Sequence, residues 1–162
     1  MKILKTISRF GDNEINGRAG EHKVRNAIPN DCYYKLIHNL YLKDDYGNHE
    51  IDLVLIGPNG VFSIEIKSIK GEIIGLTSNK YWSARKSRDV RYSFLNPLRQ
   101  NYGHIKALQN VLGEDFRIHS LVVFTYNNVD NLYIKNVIGL KDFKIILLII
   151  LMIHPIVTPL SI

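Results

Sequence analysis

The chain has 162 residues, a mass of 18.7 kDa and a hydrophobic fraction of 46%. These values predict one folded domain and exclude a largely disordered chain. The formal net charge of +6 favours polyanionic partners, with nucleic acid first and an anionic membrane surface second. Cys32 is the only cysteine. An intrachain disulfide and a thiolate metal cage are therefore excluded, and a reducing, cytoplasmic setting is expected.

Apolar periodicity and turn residues predict a helix, several strands, a second helix and a further strand. The predicted elements, in chain order, are a helix over Ile15–Ile28 that Pro29 ends, strands over Tyr33–Lys43, Glu50–Ile56, Val61–Lys67, Gly71–Leu76 and Tyr81–Ala84, a helix from Pro97 to near Gly113, and a strand over Leu121–Tyr126. A polar turn is predicted over residues 44–48. This order is typical of an α/β or α+β domain.

The C-terminal end differs in composition from the rest of the chain. Ile145–Ile153 is unbroken apolar sequence, followed by Pro155 and Pro159. The run is shorter than the about 20 apolar residues that a membrane-spanning helix needs. We therefore divide the chain into a domain over residues 1–140 and an apolar tail over residues 141–162. The tail can be a final buried strand or helix, a peripheral membrane or partner contact, or the truncated end of a longer ancestral chain.

Three charged residues lie at one end of the hairpin predicted around residues 57–60. A four-residue loop there places Asp52 opposite Glu65, with their Cβ atoms roughly 5 Å apart. Lys67, two residues further on, then points to the same face. The turn sequence also suits a three-residue loop with a bulge, which would pair Asp52 with Ile66 and separate the two carboxylates. The sequence leaves both registers open.

A cation is the physical reason to bring two carboxylates together, because without one they repel and one of them takes up a proton. A hard ion such as Mg²⁺ binds one or two carboxylates together with water and substrate phosphate, and it lowers the pKa of a bound water. Lys67 would orient that water or stabilise developing negative charge. The motif Glu-x-Lys is weak alone, since a second copy occurs at residues 21–23. Its place opposite Asp52 strengthens it.

Four short blocks of the chain occur in an order that is specific as a set. They are Gly20-Glu21, Glu50 to Gly57, Gly60 to Ser68, and Asn96 to Asn101. This ordered set resembles the nuclease-related domain (NERD) family over roughly residues 17–126. The resemblance implies the fold of the PD-(D/E)xK nucleases, a restriction-endonuclease-like core in which helices flank a mixed central sheet.

The resemblance also implies a metal site at the hairpin. Asp52 and Glu65 correspond to the metal-binding carboxylates, and the carbonyl of Ile66 is expected as a further ligand. Lys67 corresponds to the lysine of the family motif.

Two residues outside the hairpin are assigned to the same site by the resemblance. Glu21 resembles the helix-borne acid that supports the metal or the attacking water. Gln100 matches the glutamine of the family's Asn-Pro-Leu-x-x-Gln segment and is expected to face the site. Without the family, Glu21 is an ordinary acid on a helix face, and Gln100 and Asn101 are ordinary capping or solvated amides.

A basic segment with interleaved aromatic residues follows the hairpin. Its cations are Lys80, Arg85, Lys86, Arg88 and Arg91, and its aromatic residues are Tyr81, Trp82 and Tyr92. Basic groups neutralise phosphates and aromatic rings stack on unpaired bases, which predicts contacts with nucleic acid that carry no sequence specificity. A solvated loop with Trp82 in the core is the alternative.

The leading hypothesis is a nuclease dependent on Mg²⁺ or Mn²⁺ that hydrolyses phosphodiester bonds of DNA, or of RNA, by in-line attack of a metal-activated water. No histidines have zinc-ligand spacing, and no small-molecule cofactor is expected. The second hypothesis is a non-catalytic nucleic-acid-binding or interaction module on the same fold. The third is a membrane-associated protein held by the apolar tail.

Overall fold

The computed structural model of the protein describes residues 17–29, 34–45 and 47–152. The elements of this part, in chain order, are helix α1 (17–25), strands β1 (Lys35–Asp44), β2 (Gly47–Gly57), β3 (Gly60–Lys67), β4 (Glu72–Ile74), β5 (Tyr81–Arg85) and β6 (Arg91–Leu95), helix α2 (Pro97–Leu112), strands β7 (Ile118–Phe124) and β8 (Val137–Gly139), and helix α3 (Leu140–Met152). Six strands follow one another between α1 and α2, and two more strands separate α2 from α3. The predicted α+β class is therefore confirmed.

The main sheet has five strands in the order β1-β2-β3-β7-β8. Strands β1, β2 and β3 pair antiparallel, whereas β7 runs parallel to β3 and β8 runs parallel to β7. Parallel neighbours need a long crossover, and the crossover from β3 to β7 contains the second sheet and α2. The mixed central sheet with flanking helices expected from the sequence is therefore present.

Strand β3 lies in the middle of the main sheet, and its sequence explains why. Four of its eight residues are valine, isoleucine or phenylalanine, and residues 63–66 are buried without a break, which suits a strand covered on both faces. Because side chains alternate between faces, Val61 packs in one cluster with Leu108 of α2. Ile64 packs in another cluster with Val24 of α1 and Phe143 of α3.

The second sheet is small and antiparallel, in the order β4-β5-β6. Its inner face carries Trp82, which stacks on Phe124 of β7 with ring centroids 6.5 Å apart. Phe124 pairs with Lys67 of β3 in the parallel ladder. The small sheet and α2 therefore cover the same face of the main sheet side by side, and Lys67 lies where they meet.

The structure confirms most predicted elements and adds two strands. The predicted strands at residues 33–43, 50–56, 61–67, 71–76, 81–84 and 121–126 all have counterparts, as does the helix from Pro97. Strands β6 and β8 were not predicted. None of the residues of β6 is fully buried, and β8 has only three residues. Helix α1 ends at residue 25, and turns follow it up to the predicted end at Ile28.

The apolar run near the C-terminus forms helix α3. Phe143 and Leu147 of α3 are buried in the same core cluster as Val24, whereas Ile145 and Leu148 are exposed. None of the described helices is long and apolar enough to cross a membrane. The predicted helix start at Ile15, the strand start at Tyr33, Tyr46 of the polar turn and the tail beyond residue 152 lie outside the described residues. The division at residue 140 stays a prediction.

Candidate active site

The register of β2 against β3 decides whether the two predicted carboxylates meet. Leu53 pairs with Ile64, and the same register continued by one residue places Asp52 opposite Glu65. The alternative with a three-residue loop is wrong. The ladder stops at Leu53, and Asp52 Oδ2 instead accepts a hydrogen bond of 2.7 Å from the amide of Ile66. The Asp52 side chain thus takes the place of a strand partner for this amide.

The sheet is also irregular on the other side of Asp52. His38 pairs with Leu53 and Leu40 pairs with Ile51, whereas the described ladder has no pair between Asn39 and Asp52. Asn39 has a φ of 50°, in the left-handed region that asparagine tolerates better than most residues. In the described ladders, Asp52 therefore pairs with neither neighbouring strand, and its carboxylate reaches toward the end of β3.

Glu65 and Lys67 form a buried ion pair at the end of β3. Glu65 is 1% exposed, and its Oε1 lies 2.5 Å from Nζ of Lys67, whose side chain is 19% exposed. Lys67 Nζ also donates a 2.9 Å hydrogen bond to Oε1 of Gln100. Burial raises the pKa of Glu65, and the neighbouring ammonium opposes that rise. The predicted placement of Gln100 beside the hairpin is what the structure shows.

His104 is part of this group, although sequence reasoning set the histidines aside. Its Nδ1 lies 3.4 Å from Oε2 of Glu65, and both buried atoms lack a hydrogen-bond partner among the described residues. Burial, followed by the charges of His49 and Lys67, lowers the pKa of His104 to about 4, so the ring is neutral at pH 7. His104 lies four residues after Gln100, on the same side of α2. That spacing was the feature of the sequence that could have assigned His104 to the site.

The pKa of Asp52 is raised well above its ordinary value. Burial, followed by the negative charge of Glu65, raises the pKa of Asp52 to about 7. The Ile66 amide and the Lys67 ammonium oppose the rise, and the charge of Glu21 adds to it. Two carboxylates that disfavour each other's ionised form are therefore held at one end of the hairpin.

Gly20 explains how Glu21 comes near this site. A Cβ atom at position 20 would lie 1.6 Å from Oγ of Ser68 and 3.2 Å from Cγ2 of Thr125. Ser68 follows β3 and Thr125 follows β7, so glycine lets α1 touch the ends of both central strands. Glu21 is half-buried, and its charge raises the pKa of both Asp52 and Glu65.

This contact predicts opposite effects for two glycines of α1. We expect Gly20→Ala to lower the free energy of unfolding by about 1–3 kcal/mol, because the added methyl group overpacks the contact with Ser68. Among the described residues, a Cβ atom at position 17 meets nothing within 4 Å, so Gly17→Ala should raise the free energy of unfolding by up to about 1 kcal/mol through helix propensity. Urea denaturation measures both values. Equal effects of the two substitutions would contradict the proposed contact.

Asn101 anchors α2 to the main sheet, which corrects its reading as a capping or solvated amide. The side chain is fully buried. Its Oδ1 accepts a 2.6 Å hydrogen bond from Oγ of Ser63 in β3. Its Nδ2 donates to the carbonyl of Ser63, to Oγ of Ser120 and to the carbonyl of Leu121. This network positions Gln100, the preceding residue, against Lys67.

Loss of the Asn101 amide should therefore destabilise the protein. We expect Asn101→Ala to lower the free energy of unfolding by about 3 kcal/mol, because several buried polar groups lose their partner. The neighbouring change Gln100→Ala removes a half-buried side chain and should cost under about 1 kcal/mol. Chemical denaturation of both variants tests this, and similar losses in the two would argue against the anchoring network.

The site offers oxygen donors for a hard cation. In the described parts of the chain, no three histidine, cysteine, aspartate or glutamate side chains form a ready-made metal cluster. However, Mg²⁺ uses only one or two carboxylates and completes its shell with water and substrate phosphate. Glu65 Oε2 is buried and has no hydrogen-bond partner in the part of the chain that the structure describes, and Asp52 lies beside a like charge. This donor set fits a divalent cation.

The predicted basic segment is a β-hairpin and its flanking residues, not a solvated loop. All five of its cations are exposed; they are Lys80, Arg85, Lys86, Arg88 and Arg91. Trp82 lies in the core, as the alternative interpretation had it, with its Nε1 donating to the carbonyl of Leu76. Contact of the cations with nucleic acid stays a prediction.

Comparison with known proteins places these residues in a family. The family model of the nuclease-related domain matches residues 16–125, more than half of the chain. The chain belongs to the nuclease-related domain family. The resemblance drawn from the sequence is thereby confirmed. All six predicted site residues lie inside the NERD match, whereas β8 and α3 follow it.

An uncharacterised protein of Bacillus anthracis is 32% identical over 111 residues, which make up 67% of this chain and 52% of that protein. The chain thus matches about half the length of this relative. No solved structure matches the chain.

Proposed function

We propose that this NERD-family chain is a nuclease that uses Mg²⁺ or Mn²⁺ to hydrolyse phosphodiester bonds of DNA. The observation that carries the proposal is the group formed by Asp52, Glu65 and Lys67 at the end of the central strand. Glu65 keeps one buried oxygen without a hydrogen-bond partner, while its other oxygen contacts the only cation that reaches it among the described residues.

The carboxylates of Asp52 and Glu65, with the carbonyl of Ile66, would hold the divalent ion. When bound, the ion supplies a Lewis acid that stabilises negative charge on the phosphate. Binding also relieves the repulsion that raises the pKa of Asp52. The Ile66 amide keeps the Asp52 side chain at the end of β3, the strand that also carries Glu65.

Lys67 is the group best placed to act on the substrate. An ammonium has three donors, and here one is directed at Glu65 and one at Gln100. The Lys67 side chain is partly exposed, so the third donor would be available to a phosphate oxygen or to the attacking water and would stabilise charge that develops in the transition state. Glu21, brought to the site by α1, would accept a proton from that water.

A module retained for binding alone explains the burial of Glu65 less well. A buried carboxylate costs several kcal/mol to desolvate, and an apolar replacement of similar volume is often neutral or stabilising. A carboxyl group whose pKa is raised by burial and by a neighbouring like charge, as that of Asp52 is, is typical of functional sites. The second candidate, a non-catalytic nucleic-acid-binding module, is separated from the first by the experiment that follows.

The decisive experiment is a cleavage assay on plasmid and single-stranded DNA with Mg²⁺, with Mn²⁺, and with EDTA. We expect strand scission with either ion and none with the chelator. Binding of DNA in EDTA without scission under any condition would favour the non-catalytic module. RNA substrates run in parallel decide whether the activity extends to RNA.

A further inference from the structure

The small sheet presents an outer face that the core does not use. Cross-strand pairs on this face join β5 to β6, and they are Tyr81–Leu95, Ser83–Ser93 and Arg85–Arg91. The face thus has an apolar end, a centre of two small serines, and a basic end. β4 adds Ile74 beside Ser83.

The apolar end forms a shallow pocket of about 530 Å³. Tyr81, which is 57% exposed, borders this pocket together with Leu76, Ile74 and Ser93. Gly75 lies against the ring of Trp82, since a Cβ there would be 2.3 Å from the indole, so the pocket has a rigid floor. Small serines beside an exposed aromatic ring leave room for a flat ring to lie on the sheet.

The charge around this face is complementary to phosphate. Between residues 71 and 96 there are five cations, Lys80, Arg85, Lys86, Arg88 and Arg91, and two acids, Glu72 and Asp89. Arg85 forms an ion pair with Glu72 that is exposed and therefore weak. Arg91 borders the pocket itself. A positive field next to an exposed ring suits a polyanion that also carries rings.

The pocket lies close to the candidate active site. Asn96 caps α2, and its Nδ2 donates to the carbonyls of Thr77 at 3.1 Å and of Asn79 at 2.7 Å. Gln100, which contacts Lys67, is one helical turn further along α2. The loop that borders the pocket is therefore fixed to the same end of α2 that forms the active site.

We propose that the outer face of the small sheet binds unpaired nucleotides of the nucleic acid that the active site cuts, an inference that rests on the proposed function. One base stacks on Tyr81 over the two serines, and Arg91 contacts a neighbouring phosphate. Bases paired inside a duplex cannot reach this pocket, because they are already stacked on each other. The substrate class is thus a strand with an unpaired segment.

Binding is measured by fluorescence anisotropy in EDTA with the full chain carrying Lys67→Ala, which prevents cutting. The probes are labelled oligothymidylate, oligouridylate and a blunt DNA duplex. We expect tighter binding of the single strands than of the duplex. In that background, Tyr81→Ala should weaken single-strand binding about tenfold, and Tyr81→Phe should retain it. Arg91→Ala should reduce the slope of log affinity against log salt by about 0.7.

Tyr133→Ala is the matched control, since Tyr133 is 93% exposed and lies outside the small sheet. It should bind like the background protein. Preference for the duplex, or equal binding by Tyr81→Ala and Tyr133→Ala, overturns the inference even if the parent chain cuts DNA. Single-strand binding that depends on Tyr81, without metal-dependent cleavage by the parent, upholds the surface and refutes the nuclease. Comparison of oligothymidylate with oligouridylate decides whether the surface accepts deoxyribose or ribose.

Discussion

Replacing Lys67 with alanine is expected to lower the rate of metal-dependent cleavage at least about a hundredfold. The substitution removes the ammonium that contacts the buried carboxylate of Glu65 and that, in the proposed mechanism, also acts on the substrate. The protein should stay folded, because Glu65 can take up a proton once the neighbouring ammonium is gone, and its pKa is already raised by burial. Initial rates on plasmid DNA with Mg²⁺ and Mn²⁺ measure the effect.

Two further variants sharpen this test. Glu65→Gln keeps the shape of the side chain and removes its charge, so it should lose cleavage to a similar extent. Lys144→Ala removes an exposed cation of α3 and should cut at the rate of the parent. Circular dichroism of each variant checks the fold. Cleavage by folded Lys67→Ala at the parent rate would mean that the site has been assigned to the wrong residues.

The hairpin could be predicted from local sequence, but its register could not. Two β-branched runs around residues 57–60 indicate a hairpin whatever the loop. The structure pairs Gly57 with Gly60, and only Pro58 and Asn59 turn the chain. The residues of the turn were compatible with more than one loop length. The two buried faces of β3 tolerate a single register, because a slip by one residue exchanges the side chains of the two faces.

The polar partners of the site were harder to predict because they depend on tertiary contacts. Asn101 and His104 have no local pattern that separates them from exposed helix residues. Their burial follows from packing α2 across β3, which brings Asn101 to Ser63 and His104 to Glu65. Gln100 was found only through its family motif, and a search one turn along the helix from it would have found His104.

Helix α2 connects the features that the sequence presents separately. Asn96 holds the loop of the small sheet, Gln100 contacts Lys67 and His104 faces Glu65. These three residues are spaced by four, so they form one stripe along the helix. The stripe runs from the proposed nucleotide surface to the buried carboxylate, which is why one helix can position both the substrate strand and the groups that act on it.

Asp52→Asn is expected to stabilise the metal-free protein at pH 8 while abolishing cleavage. The pKa of Asp52 is about 7 in the folded protein, against an ordinary value of 3.8. Between these values the folded state binds a proton that the unfolded state lacks, so the contribution of Asp52 to stability falls as the pH rises through this window. The loss is at most about 1.4 kcal/mol per pH unit and ends above pH 7.

Asparagine avoids this loss because it carries no charge, and its Oδ1 can still accept the hydrogen bond from the Ile66 amide. The free energy of unfolding of Asp52→Asn minus that of the parent should therefore increase from pH 4 to pH 7 and then level off. His104 has the opposite pH dependence, since its lowered pKa favours folding as the pH rises from about 4. It is present in both proteins, so its contribution cancels in the difference.

Asp52→Ala is the matched control, because it removes the charge and also the acceptor of the Ile66 amide. Its free energy of unfolding should change with pH in the same way as that of Asp52→Asn, and it should be about 1–2 kcal/mol lower at each pH. Adding Mg²⁺ or Mn²⁺ at pH 8 should stabilise the parent and leave both variants unchanged, since an ion that binds only the folded site raises its stability by mass action. A difference that does not change with pH would show that the pKa of Asp52 is not raised in the folded protein. Variants stabilised by the ion as much as the parent would show that Asp52 does not hold it. The expected pattern instead links the two properties, because an ion held by Asp52 and Glu65 would offset the burial and the repulsion that raise the pKa of Asp52.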